Sequence, residues 1–283
     1  MWVWVLAGAV GVLLLLGVLV GVFFYRLALS RYTDKSVVLG TPHNQLEDGA
    51  AAGANEPPEA AKAWLKAAQT GTAEIISGDG LRLRAMVVEN KTPGKVWGVL
   101  AHGYLGRAEQ LAEAVRGFYD MGCNLLVPDM RGCGRSEGGY YGMGWRDRED
   151  ILRWIDHLNR EHTGIRIFLY GVSMGGAAVM MASGEALPGN VQLLVEDCGY
   201  TSVYDIFAYQ LRQIFKLPAF PVMPCAGLVV RVKNGYWMKK ASAVRQLEQN
   251  RLPILFIHGG DDSFVPVAML DVVYKATAAP KER

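Results

Sequence analysis

Residues 167–176 read Ile167-Phe168-Leu169-Tyr170-Gly171-Val172-Ser173-Met174-Gly175-Gly176, an apolar run that leads into the pattern G-x-S-x-G. The run predicts a buried strand, and the small residues after it predict a helix. A turn this tight leaves room only for small side chains on either side of the serine, and it would project the hydroxyl of Ser173 into a cleft. The chain has 33 glycines, so the pattern alone could arise by chance. The strand before it and the helix after it favour a nucleophilic serine.

A histidine-glycine turn ends an earlier apolar run, at Leu100-Ala101-His102-Gly103-Tyr104-Leu105-Gly106. In such a turn the backbone N–H of Tyr104 can donate to a negatively charged substrate oxygen, and the N–H of Met174 can act as the second donor. Losing one donor of this kind typically lowers a rate about 100-fold to 1,000-fold. His102 lies at a strand end unsuited to a general base, and we expect it to bond the local backbone.

A third apolar run leads into the polar loop His258-Gly259-Gly260-Asp261-Asp262-Ser263-Phe264-Val265-Pro266. A carboxylate at this point of the chain can orient a histidine that activates the serine. Of the two neighbouring aspartates we favour Asp262 over Asp261. The predicted catalytic side chains are therefore Ser173 and Asp262.

From Ala73 onward, short apolar runs alternate with helical patterns, which is typical of an α/β fold with a mostly parallel sheet and flanking helices. An opening hairpin is predicted from runs at 73–77 and 81–88. Further strands are predicted at 96–101, 124–128, 167–171, 191–196 and 254–257, and helices at 108–121, 145–161, 175–183 and 267–277. In such a fold ligands bind at the carboxyl ends of the strands.

The segment from about 199 to 250 is much longer than a simple crossover and is rich in Tyr, Phe, Leu, Met and Pro. We expect it to form a helical cap over the strand ends. The alternative is an extra pair of helices that packs on the core without covering a site.

Four motifs occur in one order: the histidine-glycine turn, the loop Pro128-Asp129-Met130-Arg131-Gly132-Cys133-Gly134-Arg135-Ser136, the serine turn and the loop at 258–266. Together they resemble the α/β-hydrolase superfamily. Within it, the chain most resembles bacterial membrane-anchored hydrolases related to serine aminopeptidases and Bem-type hydrolases. The resemblance covers about Ala73 to the end and implies a serine hydrolase without a metal or organic cofactor.

The resemblance also implies roles for the acidic residues. The family's acid falls on Asp262, and Asp197 is the runner-up because some members place the acid after the preceding strand. Asp129 and Arg131 are expected to hold their own loop and to take no part in catalysis.

The histidine of the family pattern, which follows the acid after one further strand, has no counterpart here. The histidines of the chain are His43, His102, His157, His162 and His258, and none occurs among the 21 residues after Asp262. Because the last strand and helix would be missing together with this histidine, we expect a domain at 71–283 that is C-terminally incomplete, rather than an evolved pseudoenzyme.

The N-terminal segment contains no charged residue from Trp2 to Tyr25. A helix of this length reaches about 36 Å and can cross a hydrocarbon core of about 30 Å. We expect residues 1–26 to be a retained transmembrane anchor rather than a signal peptide. Residues 27–70 are expected to form a juxtamembrane spacer that contains a short helix. Basic residues follow the span and none precedes it, which predicts a cytoplasmic hydrolase domain. Gly17 and Gly21 have the GxxxG spacing of closely packed helices, although in an apolar glycine-rich helix such a match is often coincidental.

Composition narrows the function classes further. The net charge of +2 gives no reason to expect a nucleic-acid partner. The four cysteines, Cys123, Cys133, Cys198 and Cys225, lack metal-binding or disulfide spacing and are expected to be buried thiols.

The sequence therefore predicts a hydrolase that cleaves an ester, thioester or amide through an acyl-enzyme on Ser173, almost inactive without its histidine. Its expected partners are a small-molecule or peptide acyl substrate and a lipid bilayer. The alternatives are a peptidase and a membrane-tethered binding protein that keeps the fold without turnover.

Overall fold

The computed structural model describes residues 2–35, 57–92 and 94–283. Most of the predicted spacer, including His43, lies outside the described residues. The N-terminal helix α1 spans Trp2–Leu29. The short helix predicted within the spacer is present as α2, Glu59–Ala68.

The sheet is mixed but mostly parallel, as expected from the apolar runs. Its strands are β1 Gly71–Ile76, β2 Arg82–Val88, β3 Val96–Ala101, β4 Asn124–Pro128, β5 Arg166–Val172, β6 Val191–Asp197, β7 Ile254–Ile257 and β8 Lys281–Glu282. Their order across the sheet is β1-β2-β4-β3-β5-β6-β7-β8. β2 is antiparallel to both of its neighbours, and all other neighbouring strands are parallel. The last strand, predicted to be missing, is represented by the two residues of β8, which pair with β7.

Helices cover both faces of this sheet. They are α3 Ala112–Asp120, α4 Asp147–Glu161, α5 Met174–Ala182, α6 Val203–Phe215, α7 Ala219–Asn234, α8 Ala243–Leu247 and α9 Ala268–Ala276, with a short 3-10 turn at Ala108–Leu111. Alternate residues of one strand point to opposite faces, so Leu169 joins one apolar cluster and Phe168 joins the other. Burial on both faces explains why the central strands are almost continuously apolar. Every residue of α5 is buried, which places the segment after the serine at the centre of the molecule.

The N-terminal helix α1 has two different parts. Residues 4–16 are exposed along their whole length, whereas Tyr25, Leu27 and Leu29 are buried against the domain. By length and composition alone, Trp4–Leu29 could cross a membrane. The helix extends three residues past the predicted boundary at 26, and its last turns belong to the domain core.

The glycine pair of α1 is used for close packing within this chain. A Cβ at Gly21 would lie 2.5 Å from the carbonyl oxygen of Cys225 on α7, and a Cβ at Gly17 would lie 3.3 Å from the Cys225 sulfur. A larger side chain at Gly21 would clash with the backbone of α7. The glycines of the GxxxG spacing therefore allow α7 to approach α1 closely.

Candidate active site

Ser173 lies at the carboxyl end of β5, in the turn that begins α5. Its backbone has φ 54° and ψ −113°, a conformation that costs a non-glycine residue on the order of 1–3 kcal/mol. A Cβ at Gly171 would lie 2.2 Å from the carbonyl oxygen of Gly175, and a Cβ at Gly175 would lie 2.1 Å from the carbonyl oxygen of Ala101. The glycines of G-x-S-x-G are therefore required by contact with backbone, as the tightness of the turn predicted.

Ser173 opens onto a cleft of about 870 Å³, its solvent-open mouth included. None of the lining residues carries a formal charge, and all except Ser173 and Gln210 are apolar or aromatic. The walls come mainly from three helices: Phe24, Tyr25, Leu27, Ala28 and Leu29 of α1; Ile206, Phe207, Gln210, Leu211, Ile214 and Phe215 of α6; and Val222, Met223 and Ala226 of α7. Both α6 and α7 lie in the segment for which a cap was predicted.

The two residues predicted to supply oxyanion donors lie next to the serine. A Cβ at Gly103 would lie 3.5 Å from the Cβ of Ser173, so the histidine-glycine turn is adjacent to the nucleophile. Tyr104, the next residue, lines the same cleft. Met174 is the first residue of α5, and the first N–H groups of a helix have no acceptor inside the helix. The Tyr104 hydroxyl donates a hydrogen bond to the carbonyl oxygen of Ala28, which ties the turn to α1.

Asp262 lies in the loop after β7, two strands away from β5 in the sheet. Its Oδ1 accepts hydrogen bonds from the backbone N–H groups of Phe264 and Val265, both at 2.8 Å. Phe264 and Val265 line the cleft of Ser173. The Asp262 carboxylate therefore shapes the loop that forms one side of the cleft, while Asp261 is an exposed loop residue.

His258 lies beside Asp262, and its ring is fully buried. Its Nε2 lies 2.8 Å from the carbonyl oxygen of Val265 and 3.6 Å from Asp262 Oδ2, so the hydrogen bond goes to Val265. Its Nδ1 is buried without a hydrogen-bond partner. His258 therefore holds the loop and is not exposed toward the serine.

The other described histidines have structural positions. His102 Nδ1 lies 2.7 Å from the carbonyl oxygen of Gly103, and His102 Nε2 accepts from the N–H of Met130 at 2.9 Å. Burial lowers the pKa of His102, which keeps the ring neutral. His162 stacks on Trp97 at the start of β3, and His157 lies on α4 against Trp154. Among the residues that the structure describes, no histidine joins Ser173 to Asp262.

Two other carboxyl groups lie beside the serine turn. Asp197 accepts a hydrogen bond from the Tyr170 hydroxyl at 3.2 Å, and its backbone oxygen accepts from the N–H of Ser173 at 2.7 Å. Burial raises the pKa of Asp197. Burial raises the pKa of Glu196 to about 8 against an opposing hydrogen bond from the Gly199 N–H, so this carboxyl is largely protonated at neutral pH.

The loop from Asp129 to Ser136 contacts the histidine-glycine turn, because the Met130 N–H donates to His102. Asp129 accepts from the N–H of Ala108 at 2.9 Å and pairs with Arg135 at 2.8 Å. Arg131 is buried and pairs with Asp150 at 2.7 Å and with Asp79 at 2.9 Å. These contacts fix the loop, which is the role predicted for it.

The cleft wall formed by α1 was missed by the sequence analysis, which treated this helix as an anchor only. The signals in the sequence were the aromatic run Phe23-Phe24-Tyr25 and the Gly17/Gly21 spacing. In the described ranges 2–35, 57–92 and 94–283, no cluster of His, Cys, Asp or Glu is arranged to hold a metal ion.

Comparison with known proteins gives one family match. Residues 95–199, which include the histidine-glycine turn and the serine turn, match the model of the serine aminopeptidase S33 family. The Bacillus subtilis (strain 168) protein YqkD is 26% identical over 197 residues, covering 69% of this chain and 64% of that protein. The Arabidopsis thaliana alpha/beta hydrolase domain-containing protein WAV2 is 28% identical over 215 residues, covering 72% of this chain and 65% of that protein. The chain thus spans less than two thirds of the length of either relative.

Solved structures of esterases and peptidases share the fold. The Pyrococcus furiosus esterase Pf2001 superposes with a TM-score of 0.59 at 20% identity, covering 75% of this chain and 80% of the esterase. The Pyrococcus horikoshii acylaminoacyl peptidase superposes with a TM-score of 0.52 at 18% identity, covering 74% of this chain and 35% of the peptidase. The narrower resemblance to Bem-type hydrolases stays a prediction. With the serine turn, the sheet order and these matches together, the chain has an α/β-hydrolase fold of the esterase and peptidase type, and its residues 95–199 are similar to the serine aminopeptidase S33 family.

Proposed function

We propose that the protein hydrolyses an ester, thioester or amide through an acyl-enzyme on Ser173. The observation that carries this proposal is the placement of Ser173, in a backbone conformation that only a tight turn produces, at the floor of an apolar cleft. Tyr104, which lines the same cleft, and Met174, the first residue of α5, would supply the backbone N–H groups. Such donors stabilise the negative oxygen of an acyl-transfer intermediate.

In the proposed reaction the Ser173 Oγ attacks the acyl carbon and forms a new C–O bond. The bond from the acyl carbon to the leaving oxygen, sulfur or nitrogen breaks, and the serine proton is transferred to that leaving group through a base. A water molecule then attacks the acyl-enzyme, releases the acid and restores the hydroxyl. No redox step is involved.

Among the described residues, no side chain is placed to act as the base. Asp262 would orient a histidine, and none of His102, His157, His162 and His258 is placed for that role. Removing the histidine of such a triad costs about a million-fold in one dissected protease. We therefore propose turnover close to background for the 283-residue chain, and full turnover only where a histidine faces Asp262.

The cleft favours an uncharged acyl group, because no charged side chain lines it. The names of the related proteins include both esterases and peptidases, so a peptidase is a variant of the same proposal. Rates on a matched panel of acyl esters and aminoacyl amides distinguish the two. Exclusive cleavage of the amides would contradict an esterase.

We also propose that α1 remains attached and anchors the protein in a membrane, with the hydrolase domain in the cytoplasm. Burial of Tyr25, Leu27 and Leu29 in the domain supports retention, because cleavage after the apolar run would remove a wall of the cleft. The orientation rests on the basic residues that follow the span.

A fluorophosphonate probe tests the nucleophile. The protein expressed from its whole reading frame is treated with the probe, and the labelled peptide is identified by mass spectrometry. We expect labelling at Ser173, loss of labelling in Ser173→Ala, and unchanged labelling in the matched control Ser263→Ala, an exposed serine of the acid loop. Labelling at another residue would refute the assignment.

A second candidate is a membrane-tethered binding protein that keeps the fold without turnover. This candidate is favoured because, among the described residues, no histidine joins Ser173 to Asp262. This candidate predicts no probe labelling, and no hydrolysis of the ester and amide panel, in the protein expressed from its whole reading frame, together with retention of an acyl ligand in the cleft.

A further inference from the structure

The cap helix α7 runs parallel to α1 and in contact with it. Gly17 and Gly21 face Cys225, and the Tyr25 hydroxyl donates to Asn234 Oδ1 at 2.8 Å. Later residues of α1 thus meet later residues of α7. The helix of α7 that follows a kink at Phe220 (φ −93°, ψ 136°) therefore has its beginning directed toward the exposed N-terminal turns of α1, and Phe220 lies at that end.

Along the axis of α1, the uncharged segments of α1 and α7 end at about the same height. α1 has no charged residue before Arg26, and the chain has none between Lys216 and Arg231. Lys233 Nζ lies 5.8 Å from the centre of the Tyr25 ring. Lys216 follows Phe215, whose ring lies 5.3 Å from that of Phe24. Basic residues from three segments thus surround α1 where its apolar run ends, the arrangement typical of a membrane–water boundary.

Beyond this boundary α7 exposes large apolar side chains. Phe220 is 76% exposed and Leu228 is 51% exposed, and both belong to the uncharged stretch. Large apolar side chains exposed beside a hydrophobic helix are typical of a membrane contact. If α7 stayed outside the bilayer that α1 enters, these apolar side chains would be exposed to water.

We propose that α7 inserts into the bilayer beside α1, so that the cleft of Ser173 opens to the lipid and takes the acyl chain of a membrane phospholipid. Phe24 and Leu27 of α1 and Met223 and Ala226 of α7 would flank the chain, and its ester carbon would reach Ser173. The chain would pass from hydrocarbon into an uncharged cleft without crossing water. This inference rests on the proposed function for the reaction and adds the substrate class.

Insertion depth is measured without any catalytic readout. 4-Trifluoromethylphenylalanine is placed at position 220 of the full chain in phosphatidylcholine vesicles, and its fluorine signal is recorded with doxyl-labelled lipid or an aqueous paramagnetic chelate. We expect broadening by the lipid label at 220 and by the chelate at the control position 121, which is also highly exposed and lies between α3 and the start of β4. Equal broadening by the chelate at both positions would overturn the insertion.

Occupancy of the cleft is tested with a diazirine-bearing phosphatidylcholine and photocrosslinking. In the unmodified chain we expect crosslinks on peptides that contain Phe24, Leu27 or Met223. Ala226→Trp should reduce these crosslinks at least tenfold by filling the cleft, and the matched control Leu228→Trp, on the exposed face of α7, should retain them. Ala226→Leu serves as a milder variant, with circular dichroism showing that each variant is folded.

The outcomes separate the two proposals. Lipid crosslinks in the cleft without probe labelling of Ser173 would retain the lipid site and refute the hydrolase. Probe labelling without lipid crosslinks, or with a solvent-exposed position 220, would retain the hydrolase and refute the lipid substrate.

Discussion

The serine turn and the acid loop both contain paired glycines, but only the serine turn needs them. A Cβ at Gly171 or Gly175 would meet backbone atoms at 2.2 Å and 2.1 Å. At Gly259 and Gly260, in the loop before Asp262, a Cβ would meet nothing within 4 Å. Close backbone contacts thus fix the conformation of the turn that carries Ser173. Asp262 is instead held by two hydrogen bonds from its own loop. A motif read from sequence can therefore be sterically fixed in one place and loosely held in another.

The largest expected difference between the two regions is in tolerance to alanine. Gly175→Ala must move the Ala101 backbone or the helix, and we expect a loss of at least about 4 kcal/mol in the free energy of unfolding, or no folded protein. Gly260→Ala should change it by less than about 0.5 kcal/mol. Urea denaturation in detergent checks both variants. A costly Gly260→Ala would show that the acid loop is as constrained as the serine turn.

The second expectation concerns Glu196, the carboxyl buried below the serine turn. The pKa of Glu196 is about 8 in the folded state and ordinarily near 4.5. Between these values the folded protein holds a proton that the unfolded chain has released, so stability falls as pH rises, by roughly 1 kcal/mol per pH unit, and levels off above about 8. Asp147, with a pKa raised to about 7 by burial, adds a slope of the same sign at lower pH.

Glu196→Gln should remove most of the slope of the stability profile between pH 7 and pH 8, where Glu196 contributes more than Asp147 because its pKa is higher. The measurement is the unfolding midpoint as a function of pH, in the variant and in the unmodified chain. An unchanged slope in Glu196→Gln would show that Glu196 is ionised in the folded protein.

Asp262 itself provides the third expectation. Asp262→Ala removes the acceptor for two backbone N–H groups, and we expect a cost of about 1–2 kcal/mol. Asp262→Asn keeps an oxygen for those donors and should cost less than half as much, while still lowering probe labelling of Ser173 in the protein expressed from its whole reading frame. Equal stability losses in the two variants would mean that the carboxylate charge, and not the hydrogen bonds, holds the loop.

The parts that could be predicted from sequence are those fixed by local geometry. The β5 strand, the glycines around Ser173 and the loop of Asp262 follow from spacing alone, and the structure has them where the pattern indicated. The α1 wall could not be predicted in this way, because an apolar run long enough for a membrane gives no sign that its last two turns pack against α6 and α7. The bond from Tyr104 to Ala28 joins residues 76 positions apart, and no local pattern encodes it.

The smallest expected effect comes from the backbone of Ser173. Its positive φ is strained for any residue with a Cβ, so Ser173→Ala removes the hydroxyl and keeps the strain. Ser173→Gly removes both, although glycine also loses more conformational entropy on folding. We expect the glycine variant to be more stable than the alanine variant by about 0.5–1 kcal/mol, measured by chemical denaturation. At Asp262, which lacks a positive φ, glycine should instead be no more stable than alanine. A glycine variant at 173 that is less stable than the alanine variant would show that the serine turn is held by the side chain rather than strained by it.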